Sequence, residues 1–389
     1  MVLAYDAEDT ISSNHLCQPN INNCDNYQAN NPPLVQQTPH AHRCGRYLEA
    51  TRDVPAGMEF SPIGGIMVQV LRLVDSVRKC LYIVGTALLV LVAASNTITW
   101  HLQRFWGASG DFWQRKWENI YNLFGGDHFS LGVIGTTVYG MMVFWFANLF
   151  LLILDMTGKP ATLLRYKVQP DKNVPVPRDQ LWRAIRLVVF NQTVVGIPVA
   201  AAVYYIMKMR GCSMLPADLP TFHWALFELI VFVLVEEIGF YYSHRLMHHP
   251  KIYKYIHKRH HEWTAPIGIV SIYAHPVEHV LSNLIPPALG PILMGAHLAN
   301  AWLWFGLALL STTVAHCGYH FPFLPSPEAH DYHHLKFNQN YGVLGVLDRL
   351  HGTDNMFRAS KAYERHFLLL GFTPMLQQFP DAPSKSKSE

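Results

Sequence analysis

The sequence has few charged residues and no paired cysteine motif, and these absences exclude several classes of protein. Only 15% of the 389 residues are charged, while half are hydrophobic and the mean hydropathy is +0.10. Soluble domains carry about 25% charged residues, so this composition is typical of a multi-span membrane protein. A net charge of +3 gives no sign of a nucleic-acid partner. The six cysteines form no CxxC pair, so we expect reduced thiols.

The N-terminal region lacks both long apolar runs and periodicity. Its first residues, MVLAYDAEDT, contain no basic segment followed by an apolar one, so we expect no cleaved signal peptide. Residues 1–75 are polar and rich in Asn, Gln and Pro, which favours a disordered tail. We expect three further regions: an N-terminal transmembrane region at 76–215, a second domain at 216–355 and a C-terminal tail at 356–389.

Apolar runs long enough for membrane helices, about 20 residues each, make up much of the chain. Four are predicted, at Leu81–Ile98, Leu131–Leu154, Leu187–Met207 and Phe222–Tyr242. Two shorter arms follow, Val280–Met294 and Leu298–Ala315, and together they predict a hairpin that returns to its starting side. The expected fold is therefore an all-α membrane protein with about four transmembrane helices, a membrane hairpin and a cytosolic helical cap.

The distribution of Lys and Arg predicts the orientation in the membrane. Residues 156–186 carry seven of them and residues 243–265 carry five, whereas residues 99–130 carry three, balanced by three acids. We therefore place the two basic stretches and both termini in the cytosol. The final residues, KSKSE, are similar to the dilysine signal that retains membrane proteins in the endoplasmic reticulum, although a solvated polar tail explains them equally well.

Histidine is concentrated in one part of the chain. Of 22 histidines, 14 lie between His244 and His334. Ten of them form four sets with helical spacing: His244 and His248; His257, His260 and His261; His316 and His320; His330, His333 and His334. Residues spaced i, i+3 and i+4 share one face of a helix. All four sets fall at one membrane edge, so we expect them to converge on a metal site.

Neutral imidazole is a good ligand for iron, zinc, copper and nickel. Ten histidines are too many for one ion and about right for two. Two irons would leave positions for dioxygen and could oxidise an unactivated C–H bond, whereas two zinc ions could catalyse hydrolysis. The ligand types alone do not decide between these reactions.

Two residues beside the histidine sets are further candidates. Glu237 lies seven residues before His244 on the same helix face, where it could accept an N–H from a ligand imidazole or make a structural hydrogen bond. His275 and His279 are spaced i, i+4, but Pro276 disfavours a regular helix there. For His275 we therefore expect a supporting role beside the ligands or in a substrate pocket.

The histidine order and the residues around it resemble the fatty acid hydroxylase superfamily of membrane di-iron oxygenases. The stretches FYYSHRLMHH, YKYIHKRHHEWTAPIG, YAHPVEH, AHCGYHFP and HDYHHLKFNQNYGVLGVLDRLHGT resemble its sterol C4-methyl oxidase branch. The resemblance covers roughly residues 190–355. Two features depart from that branch, His351 at a position usually aromatic and the long polar N-terminal tail, and they leave room for a different substrate.

The resemblance implies a catalytic role at the endoplasmic reticulum. Eight histidines fall on the family's three histidine boxes and would bind two iron ions: His244, His248, His257, His260, His261, His330, His333 and His334. His316 and His320 match a further ligand pair of the family. The implied reaction oxidises a sterol C4-methyl group stepwise to alcohol, aldehyde and acid, using dioxygen and two electrons at each step.

The resemblance implies an electron donor, and we expect it to be a separate protein, since the sequence shows no HPGG haem-binding stretch of a cytochrome b5 domain. Electrons would pass from NADH through a reductase and cytochrome b5. The basic residues Lys251, Lys254, Lys258 and Arg259 could dock an acidic partner or serve only as membrane anchors. Two alternative functions stay open: hydroxylation of fatty-acyl or sphingolipid chains, and a non-enzymatic lipid-sensing or signalling scaffold.

Overall fold

The computed structural model describes residues 62–381, which form two compact units with a division at Ala93. The first long helix, α1, spans Pro62–Leu123. It begins before residue 75, the limit of the disordered tail that the polar composition predicts. Residues 1–61, which make up most of that expected tail, and residues 382–389, which include the KSKSE sequence, lie outside the described part of the chain.

Four helices are long and apolar enough to cross a membrane: Val70–Ser95, Ser130–Thr157, Arg178–Met209 and Leu298–His316. The second is a π-helical segment, Ser130–Gly135, followed by α2, Thr136–Thr157. The third contains α4 (Arg178–Phe190), a π-helical segment (Asn191–Val195) and α5 (Gly196–Met209), after the short α3 (Ala161–Leu164). Three of the expected spans are therefore present: the second and third have wider bounds, and the first begins 11 residues earlier and ends 3 residues earlier than expected.

The helix expected as the fourth span differs from this group. Helix α6, Phe222–Met247, contains the expected span Phe222–Tyr242 and is 26 residues long. Its apolar stretch carries three acids, which is more charge than the apolar stretch of a membrane candidate has, so it is not among the four: Glu228, Glu236 and Glu237. One of these is fully satisfied, because Trp224 Nε1 and Asn300 Nδ2 donate to Glu228 at 2.9 and 2.6 Å. The second hairpin arm takes its place among the candidates.

The predicted hairpin is formed by α9, Ile285–Met294, and α10, Leu298–His316. Gly295 has a φ of +65°, a left-handed conformation that ends α9 and turns the chain. Helix α9 packs along α6, and Gly290 allows the close approach: a Cβ there would lie 2.8 Å from the Phe232 Cα. The hairpin thus supports the helix that carries the first two histidines of the site.

The cap consists of short helices and turns. After α6 come α7 (Pro250–Tyr253) and two 3₁₀ turns (His257–Glu262 and Gly268–Ile272). They are followed by α8 (Pro276–Glu278) and a π-helical segment (His279–Leu284) that leads into the hairpin. After α10 come α11 to α15, at Glu328–Lys336, Val346–His351, Asn355–Arg358, Lys361–Arg365 and Met375–Gln378. Residues 62–381 contain no β-strand, only an isolated bridge between Lys167 and Tyr319.

Apolar contacts fix the cap segments against the long helices. Ile267, Ile269 and Val270 are almost fully buried in a cluster with Phe144 of α2 and Val188 of α4. This cluster holds the chain directly after the second histidine set, so burial of apolar area positions that set.

The C-terminal residues pack as well. Leu369 and Met375 are buried beside Tyr166, whose hydroxyl donates to the Phe372 carbonyl at 2.8 Å. Within the expected tail, residues up to 381 therefore belong to the folded cap.

Candidate metal centre

Nine of the ten predicted ligand histidines lie in two groups. Within each group one ligand nitrogen per residue lies within 4.8 Å of the others. The five-histidine group contains His244, His248, His257, His261 and His333, and the four-histidine group contains His260, His316, His330 and His334. Four segments supply them: the end of α6, the 3₁₀ turn at His257–Glu262, the end of α10, and α11.

Each HxxHH set contributes to both groups rather than to one. His257 and His261 belong to the five-histidine group, whereas His260 belongs to the other. On α11 the division is reversed, because His333 joins the five-histidine group while His330 and His334 join the four-histidine group. The two repeats therefore face each other and divide their ligands between two neighbouring centres.

The Nε2 atoms of the five-histidine group converge. His257 Nε2 lies 3.2 Å from that of His244 and 3.0 Å from that of His261. His248 Nε2 lies 3.3 Å from that of His261 and 3.2 Å from that of His333. Two nitrogens that bind one ion at about 2.1 Å and at right angles lie about 3 Å apart. The spacing therefore fits a shared metal ion.

The Nε2 atoms of the four-histidine group also lie close together. His316 Nε2 lies 3.3 Å from His260 Nε2 and 2.9 Å from His330 Nε2. His334 Nε2 is buried without a hydrogen-bond partner among the described residues. An orphaned buried nitrogen is costly unless it has a ligand, so its position fits metal coordination.

The other ring nitrogen of these histidines is held by the protein. In six of them Nδ1 donates to an oxygen 2.6–3.1 Å away: His244 to Tyr341 O, His257 to Glu278 Oε1, His260 to Tyr273 O, His316 to Thr312 O, His333 to Gln339 O and His334 to Trp263 O. Protonation at Nδ1 leaves Nε2 with a lone pair, which is the tautomer that binds metals through Nε2.

Burial keeps these imidazoles neutral. It lowers the pKa of His260 to about 4 and, with the neighbouring His244 and His260, lowers the pKa of His248 to about 2. Burial also lowers the pKa of His257 and His334 well below the ordinary histidine value. At neutral pH the nitrogens are therefore available as ligands without loss of a proton.

His320 lies apart from both groups. Helix α10 ends at His316 and the chain turns at Gly318, whose φ is +72°, so the i, i+4 spacing does not lie on a helix. His320 Nε2 instead donates to the Phe367 carbonyl at 3.0 Å, and its Nδ1 lies 3.5 Å from Glu328 Oε1.

The carboxylate of Glu237 anchors a loop rather than an imidazole. It accepts backbone N–H groups from Val343 at 2.9 Å, Leu344 at 2.8 Å and Leu347 at 3.1 Å. The N–H of His244 goes to the Tyr341 carbonyl at 2.8 Å. Of the two roles expected for Glu237, the geometry matches the structural hydrogen bond.

His275 begins helix α8, where its Nδ1 accepts the Val277 N–H at 3.2 Å. The residue that touches a ligand is Glu278, one turn later, whose Oε1 lies 2.7 Å from His257 Nδ1. Sequence reasoning missed Glu278, although it belongs to the YAHPVEH stretch. Burial raises its pKa well above the ordinary value, and a bound cation nearby would favour its ionised form.

Two neighbouring cavities lie on the side of the four-histidine group. The first, the membrane chamber, has a volume of about 230 Å³ and is largely apolar, with walls that include Met141, Val199 and Leu309. The second, the metal cavity, has a volume of about 400 Å³ and is lined in part by His316 and His330. Four residues line both cavities: Glu236, Phe240, Ala308 and Thr312. An apolar space thus adjoins the four-histidine group.

Comparisons with known proteins agree with this geometry. Residues 229–353 match the family described as fatty acid hydroxylase. Fatty acid hydroxylase domain-containing protein 2 of Macaca fascicularis is 56% identical over 312 residues, which cover 80% of this chain and 93% of that protein. Fatty acid hydroxylase ahd1 of Mycosarcoma maydis is 37% identical over 244 residues, 62% of each protein.

A relative named for sterols is also present. Methylsterol monooxygenase 2-2 of Arabidopsis thaliana is 33% identical over 268 residues, which cover 66% of this chain and 97% of that protein. No solved structure matches the chain. The expectation drawn from the histidine motifs is confirmed: this chain belongs to the fatty acid hydroxylase family of membrane oxygenases.

Proposed function

We propose that this protein is a membrane di-iron oxygenase that oxidises a C4-methyl group of a sterol. The observation that carries the proposal is the pair of histidine groups beside an apolar chamber. A lipid in the chamber would reach the four-histidine group through the metal cavity without entering bulk water. Exclusion of water from such a site protects a reactive oxidant from side reactions.

Nine histidines would bind the two ions, without His320. Neutral imidazoles suit iron and zinc alike, and family membership favours iron. Bound iron would supply the activation of dioxygen that C–H oxidation needs. The protein's own residues orient the imidazoles through their Nδ1 atoms and line the path for the lipid. We assign Glu237 and His275 to supporting positions, since neither contacts a ligand nitrogen in the described hydrogen bonds.

A sterol is supported by the methylsterol monooxygenase among the relatives and by the placement of the centre. A sterol lies in the leaflet with its hydroxyl end, where C4 is found, toward the interface. The histidine groups lie at the end of α10, a candidate membrane helix, and the apolar chamber extends along α2, α5 and α10. The sterol body would occupy the chamber and C4 the metal cavity.

Electrons would come from NADH through a separate cytochrome b5 and its reductase. Lys251, Lys254, Lys258 and Arg259 are all exposed, beside the buried ligands His257 and His260. A basic surface of this kind attracts an acidic partner over about 10 Å at moderate salt. We propose an endoplasmic-reticulum location with both termini in the cytosol and a catalytic domain at 216–355 after a transmembrane region at 76–215. In the two terminal regions, 1–75 and 356–389, residues 62–75 begin α1 and residues up to 381 belong to the folded cap.

The proposal is tested by oxidation of a 4,4-dimethyl sterol in microsomes that contain the full chain, cytochrome b5, its reductase and NADH. We expect turnover by the wild type, none by His330→Ala, and two bound irons per wild-type chain. Sterol left unoxidised by an iron-loaded wild type would contradict the sterol assignment, and less than one iron per folded chain would contradict the di-iron centre.

Hydroxylation of fatty-acyl or sphingolipid chains is the second candidate, favoured by the relative named fatty acid hydroxylase ahd1. Lipid profiles of cells that lack the protein separate the two: loss of hydroxylated acyl lipids with unchanged C4-methyl sterols would favour acyl chains. A non-enzymatic scaffold would instead predict that His257→Ala, expressed normally, preserves every cellular phenotype.

A further inference from the structure

The carboxyl group of Glu236 stands at the junction of the membrane chamber and the metal cavity. It lines both, as do Phe240, Ala308 and Thr312. No hydrogen bond or ion pair to this carboxyl occurs among the described residues, whereas Glu228 and Glu237 on the same helix have two and three N–H donors. A carboxyl among apolar walls is costly without a partner, so the side chain has unused capacity for a ligand.

The junction lies close to the metal ligands. Phe240, one turn after Glu236 on α6, packs against the His244 ring at a centroid distance of 5.0 Å. Thr312 is one turn before His316 on α10, and its carbonyl accepts the His316 Nδ1–H at 2.8 Å. One turn advances a helix by about 5.4 Å. A molecule bound at the junction would therefore have its next atoms about one or two helical turns from His244 and His316.

The charges around the two cavities favour a neutral lipid. The acidic side chains on their walls are Glu236, Asp348 and Asp354, and the single Arg or Lys on the same walls is Arg349. Arg349 is already paired, since its Nε donates to Asp354 at 2.7 Å. Away from the histidines, an anionic head group at the junction would lie beside the Glu236 carboxyl with no free Arg or Lys on either wall, so a carboxylate is disfavoured at this position.

We propose that Glu236 accepts a hydrogen bond from the hydroxyl group of a neutral lipid alcohol and thereby determines which substrate the enzyme selects. The inference rests on the proposed function, because it assumes that the lipid reacts in the metal cavity. In a C4-methyl sterol the hydroxyl is on the carbon next to C4. A hydroxyl held by Glu236 leaves the rigid apolar rings in the membrane chamber and turns the adjacent methyl group toward His316 and His330.

The test measures binding and oxidation separately on the full-length, iron-loaded protein in detergent. The probes are a radiolabelled 4,4-dimethyl 3-hydroxysterol and its 3-methyl ether, which has no hydroxyl donor. The variants are Glu236→Leu, which removes the acceptor, and Glu236→Gln, which keeps a weaker one. Glu228→Gln is the matched control, a carboxyl on the same helix that lines neither cavity. Iron content shows that each variant is folded.

We expect the wild type to bind the hydroxysterol at least about tenfold more tightly than the methyl ether, as the loss of a buried hydrogen bond implies. Glu236→Leu should bind the two sterols equally, through weaker hydroxysterol binding, and Glu236→Gln should be intermediate. Glu228→Gln should keep the wild-type preference.

The outcomes separate the two proposals. Equal binding of both sterols by the wild type, or an unchanged preference in Glu236→Leu, overturns the role of Glu236 even if the sterol is oxidised. Preferential binding that depends on Glu236, without oxidation, leaves that role intact and overturns the proposed reaction. Binding of neither sterol overturns both.

Discussion

The two histidine groups have similar ligands and different surroundings. The four-histidine group contributes His316 and His330 to the wall of the metal cavity, whereas the five-histidine group contributes to neither cavity. The five-histidine group alone includes a carboxylate partner, Glu278, on His257. An ion held by four imidazoles beside a cavity would keep room for dioxygen or substrate, and an ion held by the five more enclosed imidazoles would have less. The two groups therefore have different surroundings, and a lipid in the membrane chamber would meet the four-histidine group.

The largest effect is expected for loss of a ligand from the four-histidine group, as in His260→Ala, which leaves three imidazoles there. One of two metal ions should be lost and turnover should fall by more than about 100-fold, beyond the loss typical of partners outside the ligand set. Metal content per chain and NADH-dependent turnover check this. The matched control is His320→Ala, outside both groups, which should retain both ions; loss of an ion there would return His320 to the ligand set.

A smaller effect is expected for His248→Ala, because four imidazoles remain in the five-histidine group. Both ions should stay bound, and turnover should fall by about tenfold. The same two measurements apply, with His260→Ala measured in parallel. If His248→Ala lost an ion and all turnover, the two groups would be equivalent and the comparison would fail.

Replacing Glu278 tests the carboxylate partner of the five-histidine group. In Glu278→Gln the His257 N–H keeps an acceptor but loses its anionic partner, so we expect about tenfold faster metal loss from this group. Competition with a chelator, followed by metal analysis, measures the rate. Glu228→Gln, a buried carboxyl with no histidine partner, should leave the rate unchanged; equal rates in both variants would show that the carboxylate has no influence on the ion.

The smallest change in metal binding is expected for Glu237→Gln. Gln keeps one acceptor oxygen and replaces the other with an NH₂ group, so at least one of the three backbone hydrogen bonds to the loop at Val343–Leu347 is lost. The free energy of unfolding should fall by about 1–3 kcal/mol. Metal content should not change, because the Tyr341 carbonyl still orients His244. A loss of metal with unchanged melting temperature would instead give Glu237 a direct role at the ligands.

Much of this arrangement could be predicted from the sequence. The confinement of 14 histidines to residues 244–334 and their helical spacing predict a convergent metal site, and apolar runs predict the long helices and the hairpin. These signals are periodic and local. The acids in Phe222–Met247 weaken the same signal, which is why that helix is not among the membrane candidates.

The remainder depends on features without a sequence pattern. The division of each HxxHH set between two groups follows from how α11 faces the 3₁₀ turn, and spacing alone cannot show it. The position of His320 follows from the turn at Gly318. The partner of His244 is the Tyr341 carbonyl, and a backbone oxygen has no side-chain signature. Glu237 is nearer to His244 in the sequence than Tyr341 is, but its carboxylate does not accept the His244 N–H.

Five of the nine imidazoles are oriented by backbone carbonyls, those of Trp263, Tyr273, Thr312, Gln339 and Tyr341. Every residue type carries this oxygen, so substitutions at these positions preserve the acceptor wherever the backbone keeps its path. The arrangement of the imidazoles can therefore persist when the side chains around them change. A lineage could acquire a new lipid by altering the walls of the two cavities alone, without rebuilding the chemistry at their end.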